Sequence, residues 1–437
     1  MPASFRNILR PGLTFSYCYQ RRMSLASKAA LAVPKDRANL LDRAWSEAAQ
    51  LYLQELVPRF DPWLQSALVE LRQHELPAGP IIVPCCGPGH EVVLLHQLYG
   101  GRRTVLGLDL SQGMVALAKQ AIQDYLQQQQ QLQQRDRGAG GAAAVAAAAE
   151  PVVPATPLDA RVADASCLDG YGPAAAVVSV FGLQQMGPLA PQALASWARC
   201  LAPGGLAVVV LWPTNVERSG PWVTFDQVVL EKAAADAGLP PPAPDAAACS
   251  PRSEWEVQLT QPCVREVPGV ELLTDRLVTH PIEWDSLNNF WQVMTEGGPW
   301  RARRLAQGEE VMSDLRNRFF SKLIAACGDA GSQEPLLREA PHHLQREPGQ
   351  HQEQQGQQQQ RNQQQQQQEG GRLVHHPSAR LIVLRRRREE GLQQEQLEQK
   401  EAVAGDQQWQ EHGSGGGGGG AELEGRANRL STVAVKL

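Results

Sequence analysis

The sequence predicts a doubly wound α/β domain. Two observations carry that expectation: short, continuous apolar runs alternate with amphipathic helical segments, and the first such run enters the glycine turn "IIVPCCGPGHE", Ile81 to Glu91. Strands that are apolar throughout are buried on both faces, as happens in a parallel sheet with helices packed on either side.

The elements follow in order. "ANLLDRAWSEAAQLYLQELVPRF" spaces its apolar residues as a helix does, and "DPWLQSALVELRQHEL" offers Asp61 as an N-cap with Pro62 in the first helical position. "IIVPCC" then reads as a strand, "GHEVVLLHQLYG" as a helix, "TVLGLDL" as a strand, and "SQGMVALAKQAIQDYL" as a helix capped by Ser111. "ARVADA" and "AAVVSVFGL" are strands, "PQALASWARCL" a helix and "GLAVVVLWP" a strand. Farther on, "IEWDSLNNFWQVM" begins a helix with Asp285 as N-cap, placing Phe290, Trp291 and Met294 on one apolar face. "GRLVHHPSARLIVLRRRR" reads as turn, strand and basic stop.

Low-complexity tracts bound the folded part of the 437-residue chain. Gln127–Gln134 and Gln345–Glu369 are glutamine-rich, Gly138–Ala149 is glycine and alanine, and Gly413–Gly420 is nearly all glycine. Such tracts bury too little apolar surface to offset chain entropy and are expected to be solvated insertions or tails. The expected organisation is therefore one domain over residues 36–388, interrupted by insertions at 126–155 and 333–370, with 213–330 as a substrate-side cap and 389–437 as a tail. Residues 1–35 carry Arg6, Arg10, Arg21, Arg22, Lys28 and Lys35 and no acid before Asp36. That composition suits a transit peptide, placing the protein in a mitochondrion or chloroplast, or equally a disordered basic tail on a cytoplasmic protein, or a start at Met23.

A net charge of −5 gives no basic field for nucleic acid. No apolar run reaches the roughly 18–20 residues of a membrane span, so a soluble protein is expected. The eight cysteines form no framework and no pair of C-x-x-C knuckles, which suits free thiols in a reducing compartment. Cys85 and Cys86 would face opposite sides of an extended strand and so would not share a metal; small, inert thiols beneath a ligand are expected, and no metal.

In open α/β sheets ligands sit beyond the carboxyl ends of the strands. The turn Cys85-Cys86-Gly87-Pro88-Gly89 lies there, with a helix N-terminus behind it to meet a carboxylate or phosphate. Asp109 ends the second strand about 20 residues beyond, where an acid accepts both ribose hydroxyls. These features point to a nucleoside cofactor.

The motifs resemble the class I S-adenosylmethionine-dependent methyltransferases, particularly the type 11 methyltransferase domains, over about residues 40–215. The resemblance implies a Rossmann-like, mostly parallel seven-stranded sheet whose last strand lies antiparallel between two others. It assigns the cofactor to Cys85, Cys86, Gly87, Gly89, Asp109, Leu110, Met114, Asp164, Ala165 and Phe181, with Asp109 on the ribose, Met114 beside the adenine, and Asp164 and Ala165 on the adenine edge. Against the family's [DE]-x-G-x-G-x-G, Val83 replaces the acid and Cys85 the first glycine, and alanines 174–176 replace the acid before the fourth strand. "LAPGGLAVVVLWP" is similar to the family's helix-to-strand hairpin. A nicotinamide or flavin enzyme would want glycine where His90 and Val92 stand. In related enzymes the leading helix, with Trp45, Ala48 and Tyr52, forms part of a lid; helix-to-sheet packing alone is the other reading.

On the acceptor side, Phe181, Gln184 and Gln185 follow the fourth strand. Gln184 is neutral and suits orientation; His280 and Glu283 are the candidate bases. Trp212, Trp222, Trp255, Trp284, Trp291 and Trp300 fall in one stretch, as an aromatic pocket for an apolar or cationic small molecule or as the core of a cap. A small-molecule methyltransferase is thus expected, with a non-catalytic cofactor-binding protein and a protein or RNA methyltransferase as alternatives.

Overall fold

The computed structural model describes residues 37–139, 157–328, 337–338 and 372–388. The basic N-terminal segment, the Gly/Ala tract beyond Ala139, the 345–369 glutamine tract and the 389–437 tail lie outside them.

The central sheet is built from β1 (Ile81–Pro84), β2 (Val105–Asp109), β3 (Leu158–Val162), β4 (Ala174–Val180), β5 (Leu201–Leu211), β6 (Val270–Thr279) and, late in the chain, β10 (Ser378–Arg386). Their spatial order is β3-β2-β1-β4-β5-β10-β6. All lie parallel except β10, which runs antiparallel between β5 and β6. The fold is therefore a doubly wound, Rossmann-like seven-stranded sheet, with the final strand in the place the sequence motifs imply.

Alternation along each strand divides the core. Val178 and Val180 of β4 and Val208 and Val210 of β5 join Trp63, Leu64 and Leu68 on one face. Val177 and Val209 join Leu194 and Trp197 of the helix before β5 on the other. Seven fully buried positions in a row along β4 leave no solvent face, which is why that stretch reads as a continuous apolar run.

Helices α1 (Arg37–Leu51) and α2 (Val57–Arg72) are one continuous helix widened by a π turn at Tyr52–Leu56. Pro58 has no N–H to give the carbonyl four residues back and its ring would crowd it, so the wider turn moves that carbonyl aside. Asp61 consequently caps nothing: Pro62 lies inside α2, and the Asp61 carboxylate instead meets His90 Nε2 at 3.2 Å. Helix α3 (His90–Leu98) follows the glycine turn, and α4 (Gln112–Ala139) follows β2. Ser111 caps α4 as expected, its Oγ accepting from Met114 N–H at 3.2 Å. The Gln127–Gln134 tract, expected to be a solvated insertion, continues this helix; glutamine is a good helix former, and a preformed helix needs no new nucleus to include it.

Beyond α5 (Ala190–Cys200) and β5, the chain forms α6 (Pro221–Asp236), α7 (Glu254–Val257), α8 (Gln261–Glu266), β6, β7 (Ile282–Trp284), α9 (Leu287–Glu296), α10 (Gly298–Gln307) and α11 (Glu309–Gly328). Within this stretch, read as a cap, β6 joins the edge of the main sheet instead. Ser286, not Asp285, caps α9, with Oγ accepting from Asn289 N–H. "GRLVHHPSARLIVLRRRR" makes two strands, because Pro377 breaks the run: β9 (Arg372–His375) pairs with β7 and with β8 (Leu337–Arg338), and β10 enters the main sheet. Among the described residues no helix is long and apolar enough to cross a membrane.

Candidate functional site

The strand β1 ends at Pro84, earlier than expected, because Cys85 turns into the left-handed region at φ 56°. Phe181, just past β4, does the same at φ 59°, and these two are the non-glycine residues with positive φ among the described residues. They stand at the carboxyl ends of adjacent strands. Strained backbone persists where surrounding packing over-determines it, and it gathers at functional sites. The space for the Cys85 side chain comes from Gly182, where an added Cβ would lie 2.4 Å from Cys85 Cβ. Cys85 and Cys86 still face apart, Cys85 toward Gly182 and Cys86 toward Gly107. Burial pushes both thiols upward, so they are held protonated and unreactive.

Gly87 and Gly89 carry φ 50° and 85°, and a Cβ on Gly89 would run into Ala118 of α4 at 2.7 Å. The turn is fixed from the next strand. Gly87 N–H donates to Asp109 Oδ2 and Ser111 N–H to Asp109 Oδ1, both at 2.9 Å. Asp109 is thus both brace and cap. A carboxylate has about four lone-pair sites, so capacity remains beyond these N–H bonds for a hydroxyl donor. Burial raises its pKa while these N–H bonds oppose the rise.

Around the turn stand further ionisable groups. Glu91, in the first turn of α3, is pushed up to about 7 by burial, and it senses Asp109 and Asp61. Tyr52 of the π turn lies over Gly87, and burial beside Glu91, Asp109 and Cys85 raises its phenol. Helix α1 is clamped onto this place: Ser46 Oγ accepts from Gly113 N–H at 3.0 Å and Asp42 Oδ1 from Gln112 N–H at 3.1 Å. Sequence reading missed Glu91, Asp61, Asp42 and Ser46 here. An acid in a first helical turn is ordinary dipole complementation, so Glu91 gave no signal of its own.

The remaining assigned residues are spread along the same edge. Met114 is buried behind the Ser111 cap, and Leu110 is exposed. Asp164 is exposed, with Oδ1 accepting from Ser166 N–H at 2.8 Å, and buried Ala165 gives its carbonyl to Trp197 Nε1 at 2.8 Å. Phe181 is buried and stacks on Trp212, ring centroids 4.1 Å apart.

Next to the turn lies a cavity of about 260 Å³. Trp45, Tyr52, Phe60, Trp212, Trp222 and Trp300 wall it; Gln184, Gln185 and Asp226 are its polar members. The tryptophan-rich stretch therefore divides: Trp212, Trp222 and Trp300 face the cavity, whereas Trp284 and Trp291 are core. Gln184 reaches it as expected, its Nε2 donating to Phe181 O. His280 and Glu283 do not line it. Ser66 Oγ holds His280 Nε2 at 3.0 Å against the Trp63 ring, and Glu283 is exposed and paired with Arg372. The bases expected from sequence order sit one element away, because β6 carries them past the sheet's edge. Asp226 was missed, since its place four residues after Trp222 on α6 shows only once the cavity is assembled.

A buried relay supports the cavity from behind. Trp284 Nε1–H donates to His375 Nε2 at 3.0 Å, which leaves the His375 Nδ1–H to donate to Glu217 Oε2 at 2.8 Å. Glu217 Oε1 accepts from Trp222 N–H at 2.7 Å and so caps α6.

No family model and no curated protein matches the chain. Among solved structures it is similar to the YcgJ protein of Bacillus subtilis, at 13% identity over 74% of this chain and 98% of that one, with TM-score 0.35. It is also similar to a cyclopropane synthase of Mycobacterium tuberculosis (12%, 74% and 83%, TM-score 0.30) and to a coclaurine N-methyltransferase (10%, 74% and 72%, TM-score 0.30). At these values the similarity bears on neither substrate nor activity.

Proposed function

We propose that the protein is an S-adenosylmethionine-dependent methyltransferase acting on a small molecule. The observation that carries this reading is the gathering of Asp61, Glu91 and Asp109 about the glycine turn. A glycine turn that served a dinucleotide would meet a pyrophosphate, and the Glu91 and Asp109 carboxylates repel one, with His90 already paired to Asp61. They suit a nucleoside cofactor whose far end is cationic. S-adenosylmethionine is that cofactor, and it supplies a methyl group on a positively charged sulfur.

Asp109 keeps lone pairs for a ribose, and Gly87 presents no side chain toward the space beneath Tyr52. Phe181 lines the cavity and is followed by Gly182, which packs on Cys85 of the turn, so it lies between the cofactor side and the acceptor side and helps exclude water. Methyl transfer from a sulfonium needs alignment above all. A cavity of about 260 Å³ walled by aromatic side chains and open to solvent on one side favours a small acceptor over a folded protein or an RNA.

Titration calorimetry tests the cofactor. S-adenosylmethionine should bind and release protons near pH 7, because a cation beside Glu91 draws that group into its ionised form; NADH should give no heat. Binding of NADH in place of S-adenosylmethionine overturns the reading. Incubation of labelled cofactor with a cell extract should label a small metabolite, and label found in protein or RNA rejects the acceptor class.

A further inference from the structure

We propose that the aromatic cavity takes an organic cation, an amine or quaternary ammonium group on an apolar body, and that the Asp226 carboxylate is its counter-charge. As an identification of the methyl acceptor this rests on the methyltransferase reading; as a binding site it stands alone.

The cavity's charge inventory comes first. Its lining contains no lysine, arginine or histidine, and Asp226 is its one acid. Among the described residues Asp226 makes no hydrogen bond and no ion pair; the acid it senses is Glu217, which is committed to His375 and to the start of α6. Although open to solvent through the cavity, the Asp226 carboxyl is surrounded by protein, and burial with repulsion from Glu217 pushes it up to about 7. No other charged group from α1, α2, α9 or α10 faces it across the lining.

Water reaching Asp226 through the open cavity solvates it; a ligand that fills the cavity removes that water, and the charge is then costly unless the ligand compensates it. A neutral apolar ligand would strip its water and return nothing. An anionic ligand would repel it. A cation meets the carboxylate at one wall and the aromatic side chains of Trp45, Trp222 and Trp300 at the others, and ring quadrupoles attract cations best when water is excluded. The two features are coupled by the helix: Trp222 and Asp226 are four residues apart on α6 and share one face.

Two further polar atoms on lining side chains lack a partner. Trp222 Nε1, a donor, and Gln184 Oε1, an acceptor, are buried with no hydrogen bond. Buried polar groups are rarely left so. An amine would arrive as its ammonium ion; passing one proton to the Asp226 carboxylate gives a carboxylic acid and a free amine, whose nitrogen lone pair is what a methyl acceptor requires.

The test uses the full-length protein and three probes of one size: benzyltrimethylammonium, benzyl alcohol and phenylacetate. Quenching of tryptophan fluorescence and calorimetry report binding. Benzyltrimethylammonium should bind at least tenfold more tightly than the alcohol, and phenylacetate more weakly than either. Asp226→Asn should weaken the cation by roughly ten- to a hundredfold, leave the alcohol unchanged and thereby show the cavity intact; Asp226→Glu should restore part of the loss. The probe's charge does not titrate, so its affinity should rise with pH through about 7 in the wild type and stay flat in Asp226→Asn. Equal cation affinity in Asp226→Asn, or preference for phenylacetate, overturns the assignment. A protein that binds the cation but gives no heat with S-adenosylmethionine keeps the cation site and loses the methyl-transfer reading; the opposite pattern removes the cation site alone.

Discussion

The two halves of the sheet's carboxyl edge are built on different terms. At β1 and β2 the site groups satisfy one another: both Asp109 oxygens accept backbone N–H bonds, and the glycine turn is held by the same carboxylate that a ribose would meet. At β4 and β5 they do not. Trp222 Nε1 and Gln184 Oε1 lack partners, and Asp226 faces a cavity with no counter-charge. The first half is complete before its ligand arrives, whereas the second is completed by it. A shared cofactor can be met by a fixed frame of short local bonds, while the acceptor must be met by side chains that different segments contribute.

The largest break in this comparison should come from Glu217→Ala. Glu217 is buried and holds Trp222 N–H and His375 Nδ1–H, so its removal leaves two buried donors unpaired. Each buried donor left unsatisfied costs roughly 1–3 kcal/mol, so the two together cost several kcal/mol, or on the order of 10 °C in Tm for a domain of this size. Scanning calorimetry should show that loss, and cavity probes should bind at least tenfold more weakly. S-adenosylmethionine affinity should stay within about threefold of wild type. An equal loss on both sides would show that the halves are one unit.

Asp109→Ala acts on the other half. Its loss removes charge-assisted bonds worth roughly 1.5–3 kcal/mol each, so cofactor affinity should fall about ten- to a thousandfold. Sequence alone posed ligand and helix brace as alternatives, with apo stability as the arbiter. The bonds to Gly87 and Ser111 establish the brace, and the proposed ribose contact would use the same carboxylate, so the apo protein should lose several degrees in Tm as well. Because ribose bonds exist in ground and transition states alike, KM for the cofactor should rise more than kcat falls. An unchanged apo Tm would remove the bracing role.

What was legible follows the same division. The turn, the strand-end Asp109 and the Ser111 cap each lie within a few residues of the backbone they serve, so local chemistry announces them. β10 was legible too, as an apolar run after a glutamine-rich tract. The cavity was not, because its walls come from Trp45, Phe60, Phe181, Trp222 and Trp300, far apart in sequence. No local pattern marks Asp226, a single acid in an amphipathic helix. The errors at Asp61 and Asp285 have different causes: no helix starts at Asp61, because the π turn before Pro58 carries α1 on into α2, whereas beside Asp285 the equally competent Ser286 is the residue used as cap.

The pH dependence of stability offers a finer test of the acceptor half. The Asp226 carboxyl is near 7 in the folded protein and about 3.9 in an unfolded chain. Between those values the folded state holds a proton that the unfolded state lacks, so this residue's contribution to stability is greatest at acid pH and is lost as pH rises through 7. Asp226→Asn should match wild type near pH 4, exceed it in Tm progressively up to pH 7, and keep a constant margin above pH 8. Saturating benzyltrimethylammonium should narrow that margin in favour of wild type. A margin that does not vary with pH would mean that Asp226 is solvated like any surface acid.

The smallest effect concerns Cys85 and sharpens the claim that the cofactor half is complete in itself. A non-glycine residue in the left-handed region costs roughly 1–2 kcal/mol, and glycine there avoids the strain but loses more chain entropy on folding, by about 0.5–1 kcal/mol. Cys85→Gly should therefore raise Tm only slightly, by at most about 2–4 °C, the buried thiol's lost packing taking back part of the gain. Cofactor affinity should stay within about threefold of wild type, since Gly87 and Asp109 supply the fixed contacts and the Cys85 side chain points into the notch left by Gly182. On this account the cysteine, standing where the methyltransferase motif it resembles has a glycine, is a tolerated strain matched by a neighbouring glycine. A tenfold or larger change in cofactor affinity, in either direction, would show instead that the thiol side chain shapes the ligand site, and that this half of the edge is not closed on its own.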